Sequence, residues 1–165
     1  MLENMLLEEK TLRDKLTNAY NREFFENNYQ KLIETFKSED MYFGLAMIDI
    51  DNFKNINDSY GHNIGDEILI NLVSIINKFS RNDDILIRWG GEEFIIILKV
   101  SSEDRLNIIL ENIRKTIEKS KIDKLPTITC SFGGTIYENN EQINDTIKRA
   151  DEALYISKAN GKNKV

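Results

Sequence analysis

Apolar residues recur along this chain at two periods, and the changes from one to the other mark its elements. Phe24, Phe25, Tyr29, Leu32, Ile33 and Phe36 fall at helical spacing, and Asn21 is placed to cap the helix they predict. Residues 42–50 are apolar on both faces, as in a buried central strand, and lead out through Asp49 and Asp51. Residues 52–61 are polar and end in a glycine, which reads as a break. Gly65-Asp66-Glu67 then opens a helix with Ile68, Leu69, Leu72, Val73, Ile76 and Phe79 on one side. The short runs 85–88 and 94–98 flank Trp89-Gly90-Gly91-Glu92, a hairpin whose paired glycines permit positive φ in a tight turn. Leu106, Ile109, Leu110, Ile113 and Ile117 predict another helix, and Pro126 a break. Residues 128–132 read as a strand loosened by Gly133-Gly134, and residues 143–159 as a last amphipathic helix.

The order is therefore α-β-α-β-β-α-β-α. It predicts an α+β palm: a mainly antiparallel central sheet of about five strands with flanking helices. Ahead of it, residues 1–16 carry Leu2, Met5, Leu6, Leu12 and Leu16, but Glu9 interrupts the register and the segment is too short for a sustained coiled coil. It reads either as a helical signalling or dimerisation stub or as a helix packed on its own domain, with the main domain at 17–165.

Composition narrows the chemistry. The chain has 165 residues, enough for one domain with a real core, and is 41% hydrophobic and 30% charged. No apolar run approaches the roughly 20 residues of a membrane span, and the N-terminus lacks a basic leader, so a cytoplasmic location is expected. The single cysteine, Cys130, rules out an internal disulfide and a cysteine metal cluster; in the alternating run 127–132 it reads as a packed strand thiol. A net charge of −6 gives no footprint for nonspecific nucleic-acid binding. With His62 the only histidine, catalysis would rest on carboxylates, lysines and metal.

Asp49 closes one apolar strand, while Glu92 and Glu93 lie at a Gly-Gly turn between two others. If those strands are neighbours, three acids meet at one sheet edge. Oxygen-only ligands at an open edge suit magnesium, which takes one or two carboxylates plus water and phosphate oxygens. The pattern points to metal-assisted phosphoryl or nucleotidyl transfer.

Longer motifs then join these acids. Asp14-Lys15-Leu16-Thr17 with Asn21-Arg22, Asp49-Ile50-Asp51-Asn52-Phe53-Lys54, Asn57-Asp58-Ser59-Tyr60-Gly61-His62 and Gly65-Asp66 are followed by Arg88-Trp89-Gly90-Gly91-Glu92-Glu93-Phe94. Arg149-Ala150-Asp151-Glu152-Ala153-Leu154-Tyr155 and Lys158 complete the series. In order and spacing the chain resembles the diguanylate cyclase (GGDEF) family from about residue 14 to its end. The resemblance implies a fold of the nucleotide cyclase and polymerase palm type. It also implies that two subunits, each holding one GTP, condense them into cyclic di-GMP and two pyrophosphates.

The same resemblance implies residue roles. Asp49, the Ile50 carbonyl and Glu92 would bind Mg2+ or Mn2+, Glu93 a second ion, and Glu92 is the candidate proton acceptor. Lys54, with the amides of Asn52 and Phe53, would reach the phosphates, as would Lys158 and Lys162; the family usually has arginine in place of Lys162, and lysine lacks its bidentate fork. Asn57 and Asp66 would read guanine, since a carboxylate can accept from both N1–H and the exocyclic amine. His62 either contacts substrate or braces its turn. Arg81 and Asp84 stand where the family's product-inhibition site lies, with Arg105 and Arg114 as further basic candidates. Asn18-Ala19 departs from the usual Gly-Leu, at a connector. Two other readings stand beside the cyclase: a catalytically silent module binding GTP or cyclic di-GMP, and a hybrid cyclase making cyclic GMP-AMP, against which Asp66 argues.

Overall fold

The computed structural model describes residues 11–165; Leu2, Met5 and Leu6 of the N-terminal stub lie outside the described residues. Helix α1 spans Arg22–Ser38 and begins where Asn21 Oδ1 accepts the Phe24 N–H at 3.0 Å, the cap the sequence predicts. Strand β1, Tyr42–Ile50, follows. Helices α2, Phe53–Tyr60, and α3, His62–Phe79, meet at Gly61, whose φ of 89° closes one and opens the other. The hairpin of β2, Ile85–Gly90, and β3, Glu93–Val100, leads to α4, Glu103–Lys119. Strand β4, Cys130–Ile136, and α5, Ile143–Ala159, complete the domain.

Among the described residues the sheet has four strands rather than about five, ordered β2-β3-β1-β4 and antiparallel throughout. Its central strand is apolar on both faces because both faces are covered. Ala46, Ile48 and Ile50 pack with Phe94, Ile96 and Leu98 against α3 and α4. Phe43, Leu45 and Met47 pack with Ile95 and Ile97 against Phe25 and Phe36 of α1 and Ala150 and Leu154 of α5.

Three local expectations are corrected. Residues 53–60 are helical rather than a break: Phe53 and Ile56 anchor the turn in the core, and packing outweighs the poor helix propensity of Asn55, Asn57, Asp58 and Ser59. Helix α3 begins at His62, a turn earlier than the apolar pattern suggests, so Asp66 lies inside the helix. Strand β4 runs through Gly133 and Gly134 instead of loosening there. A Cβ on Gly133 would lie 2.1 Å from the Ala150 carbonyl oxygen and 2.2 Å from the Leu154 nitrogen, so glycine lets α5 seat directly on the strand.

Residues 13–20 form a turn fastened to the sheet edge. Tyr20 bridges to Ile87, and Asp14 accepts from the Thr17 amide at 2.9 Å and its hydroxyl at 2.7 Å.

Candidate active site

The end of β1, the β2–β3 turn and the end of α5 converge at one edge of the sheet. Alternation along β1 places Asp49, two residues beyond Met47, on the face that α5 covers. Its direct cross-strand partner is Glu93, the first residue of β3, and Glu92 precedes it in the turn. Asp49 and Glu93 thus face each other across the ladder, and Glu92 is near enough for its charge to act on both. Gly91 supplies the positive φ of the turn, 46°.

Asp49 is 5% exposed. Its Oδ2 pairs with Lys158 Nζ from the last turn of α5, while its Oδ1 is buried with no hydrogen-bond partner. Burial pushes its pKa above the usual aspartate value; Lys158 opposes the shift, and Glu92 and Asp51 add to it. Glu93 is raised as well, first by burial and then by Asp49, Asp151 and Glu92. Among the described residues no three His, Cys, Asp or Glu side chains form a ready-made cation cage. The donor set fits a hard cation that brings phosphate oxygens with it: a buried unpartnered carboxylate oxygen beside two more acids at an open edge.

The chain leaves this edge through Asn52, which adopts a left-handed φ of 57° and starts α2 without a side-chain cap. The first-turn amides of α2, Phe53 among them, therefore have no partner within the helix, and an anion is favoured there. Lys54 is exposed on that turn. Lys162, just past α5, donates from Nζ to Asn52 Oδ1 at 2.6 Å. Lysines from two distant segments thus flank the β1–α2 turn.

Asn57 lies in α2, with Oδ1 buried and unpartnered. It rests on Gly65, where an added Cβ would stand 1.9 Å from that oxygen. Asp66 follows Gly65 and is exposed, so the two proposed base-reading residues share the α2–α3 corner. His62 is exposed as the first residue of α3.

Arg88 ties the hairpin to the N-terminal turn. Its Nε donates to the Gly91 carbonyl at 3.0 Å and its Nη1 to Asp14 Oδ2 at 3.1 Å. Asp14 has a pKa below the usual value: bonds from Thr17 and Arg88 outweigh the opposing effect of burial, the largest single influence.

Arg81 and Asp84 are not at this edge. They form a tight turn ahead of β2, the Arg81 amide donating to Asp84 Oδ2 at 2.8 Å, and the length of that strand separates them from the acids. Arg105 is exposed on α4. Arg114 is held by Glu111, Glu118 and Asn163 at 2.7–3.0 Å.

Sequence reasoning assigned no role to Asp51. It is 5% exposed and accepts from Ser131 Oγ at 2.6 Å, Thr129 Oγ1 at 2.7 Å and the Asn163 amide at 3.0 Å. These contacts span 78 to 112 residues, beyond any local pattern.

Residues 11–164 match the family model described as the diguanylate cyclase GGDEF domain. The chain belongs to this family. It is 42% identical over 123 residues to diguanylate cyclase DgcM of Escherichia coli, covering 74% of this chain and 30% of that protein. To diguanylate cyclase A of Treponema denticola it is 37% identical over 171 residues, covering 99% of this chain and 46% of the relative. The chain thus spans under half the length of these curated relatives. Among solved structures, the coiled coil and GGDEF domain of DgcB from Caulobacter crescentus in complex with c-di-GMP superposes with a TM-score of 0.90 at 29% identity, covering 99% of this chain and 90% of that one.

Proposed function

We propose that this chain is a diguanylate cyclase domain that condenses two GTP into cyclic di-GMP and two pyrophosphates, each subunit of a homodimer presenting one nucleotide to the other. The observation that carries the reading is the pairing of Asp49 with Glu93 across β1 and β3, with Glu92 in the adjoining turn and lysines on both sides. The names of the relatives agree with it.

Asp49, Glu92 and the Ile50 carbonyl would hold a magnesium or manganese ion, with Glu93 available to a second. Bound there, it would acidify a ribose 3′-hydroxyl and offset phosphate charge. Glu92, half-buried in the turn, accepts the hydroxyl proton. Lys54, Lys158, Lys162 and the amides of Asn52 and Phe53 hold the triphosphate, and Lys158 exchanges its partner Asp49 for phosphate. Asp66 and Asn57 read guanine, and an adenine ring leaves the Asp66 carboxylate without its paired donors. His62, exposed as the first residue of α3, stands at the same corner and would contact the nucleotide there. Cyclic di-GMP acts back through Arg81 and Asp84, remote from the reacting atoms, by bidentate contact of the guanidinium with a guanine edge or phosphate.

Incubation with magnesium and a mixture of GTP and ATP, followed by mass analysis, tests the reading. Cyclic di-GMP as the dominant product supports it. A dominant mixed dinucleotide overturns the specificity, and no turnover by a demonstrably dimeric preparation overturns the activity.

A further inference from the structure

The segment after α5 holds an unusual run of backbone conformations. Gly161, Lys162 and Asn163 have φ of 115°, 63° and 49°, so two side-chain-bearing residues in succession occupy the left-handed region. Such a run persists only where its surroundings over-determine it. Here the Lys162 amide donates to the Ser157 carbonyl at 3.0 Å, and the Phe132 amide to the Lys164 carbonyl at 2.8 Å. The Asn163 amide is shared between the buried Asp51 carboxylate, 3.0 Å away, and Ser131 Oγ, 3.1 Å away. Its side chain is gripped at both ends: Arg114 Nη1 donates to Oδ1 at 2.7 Å, and Nδ2 donates to Glu118 Oε1 at 3.0 Å.

The strained run carries Lys162, whose ammonium reaches Asn52, itself left-handed at the start of α2. An exposed lysine on a free tail would sample many rotamers and lose that freedom on binding an anion. We infer that Asp51 and Asn163 are positioning residues that fix the post-helix turn so that Lys162 is set over the β1–α2 phosphate turn before nucleotide arrives. Arg114 belongs to this device rather than to a product-binding site, its guanidinium being already engaged. Asp51, though two residues from Asp49, serves the phosphate side of the site through its three accepted bonds. The inference rests on the reading of Lys162 as a phosphate ligand.

The test uses 3′-deoxyguanosine triphosphate, which lacks the attacking hydroxyl, and guanosine as the phosphate-free control. Each is titrated calorimetrically with magnesium into the full chain and into Asn163→Ala, Lys162→Met and the double variant. The expected result is about a tenfold loss of triphosphate affinity in each single variant and no further loss in the double, because side chains acting through one contact are not additive. Guanosine binding changes less than about twofold throughout. Should Asn163→Ala not fold, Asn163→Gly replaces it, keeping the backbone donor and relieving the left-handed conformation while releasing Arg114 and Glu118; about a threefold loss is then expected, again absent in the Lys162→Met background. An effect of Lys162→Met with none of the Asn163 variant overturns the positioning role and leaves the phosphate reading standing. No effect of Lys162→Met overturns both. Additive losses, or an equal loss of guanosine binding, show Asn163 acting elsewhere and overturn the inference.

Discussion

Asp49 and Glu93 face each other as direct cross-strand partners, and burial raises the pKa of both. Like charges directly opposite on a sheet destabilise it by roughly 0.2–1 kcal/mol. Because the folded state holds these protons more tightly than the unfolded chain, stability falls as pH rises from the ordinary carboxylate values through the raised ones. Glu93→Gln is therefore expected to increase thermal stability while lowering turnover. In thermal melts from about pH 4 to about pH 7, its advantage over wild type should widen as pH rises. An advantage that shrinks with rising pH contradicts this reading.

Arg88 is the only described side chain seen to join Asp14 to the Gly91 carbonyl, and with it the N-terminal turn to the turn bearing Glu92. Arg88→Ala should cost about 1–3 kcal/mol in urea denaturation, since it leaves a half-buried carboxylate without its charged partner. Turnover should fall further than this global loss accounts for, because the hairpin loses its brace. Unchanged kcat in a destabilised variant would show that Arg88 only holds the fold.

Two glycines separate packing from function. At Gly133 an added methyl meets backbone of α5 at 2.1 and 2.2 Å, which cannot yield locally, so Gly133→Ala should destabilise by about 3 kcal/mol or more. At Gly65 the nearest atom is the Asn57 amide oxygen, the end of a movable side chain. Gly65→Ala should leave the melting temperature within a few degrees of wild type and weaken discrimination of GTP from ATP by displacing Asn57. Competition binding beside thermal melts checks both, and loss of fold in both variants would erase the distinction.

Arg81 lies at the far end of β2 from the acids. Arg81→Ala should leave initial velocity at low product within about twofold of wild type and raise by about tenfold or more the cyclic di-GMP concentration that halves it. A variant as product-sensitive as wild type removes Arg81 from the inhibitory site.

Much of the architecture was legible because it follows from local pattern. The doubly apolar run of β1, the Asn21 cap and the periodicity of α3, α4 and α5 each declare themselves within a few residues. What escaped depends on distant partners. Helix α2 is hidden because its asparagines and serine favour turns, while Phe53 in the core and Ile56 packed against it favour the helix. The glycines of β4 look like breaks until α5 lies upon them. The acids of the site could be read from strand ends, but Asp51 reads the same as Asp49 in sequence. They part company in the fold: Asp51 is saturated by Ser131, Thr129 and Asn163, while Asp49 keeps one buried oxygen unpartnered.

The most direct test of the central claim is the product formed from GTP and magnesium by wild type and by Glu92→Ala at matched concentration, with thermal melts confirming that both are folded. Cyclic di-GMP from wild type, rising more than linearly with protein over the range where subunits associate, and at least about a thousandfold less from Glu92→Ala, is the predicted result. Equal product from the two proteins would contradict the account of the Asp49, Glu92 and Glu93 edge as the place where the nucleotides are joined.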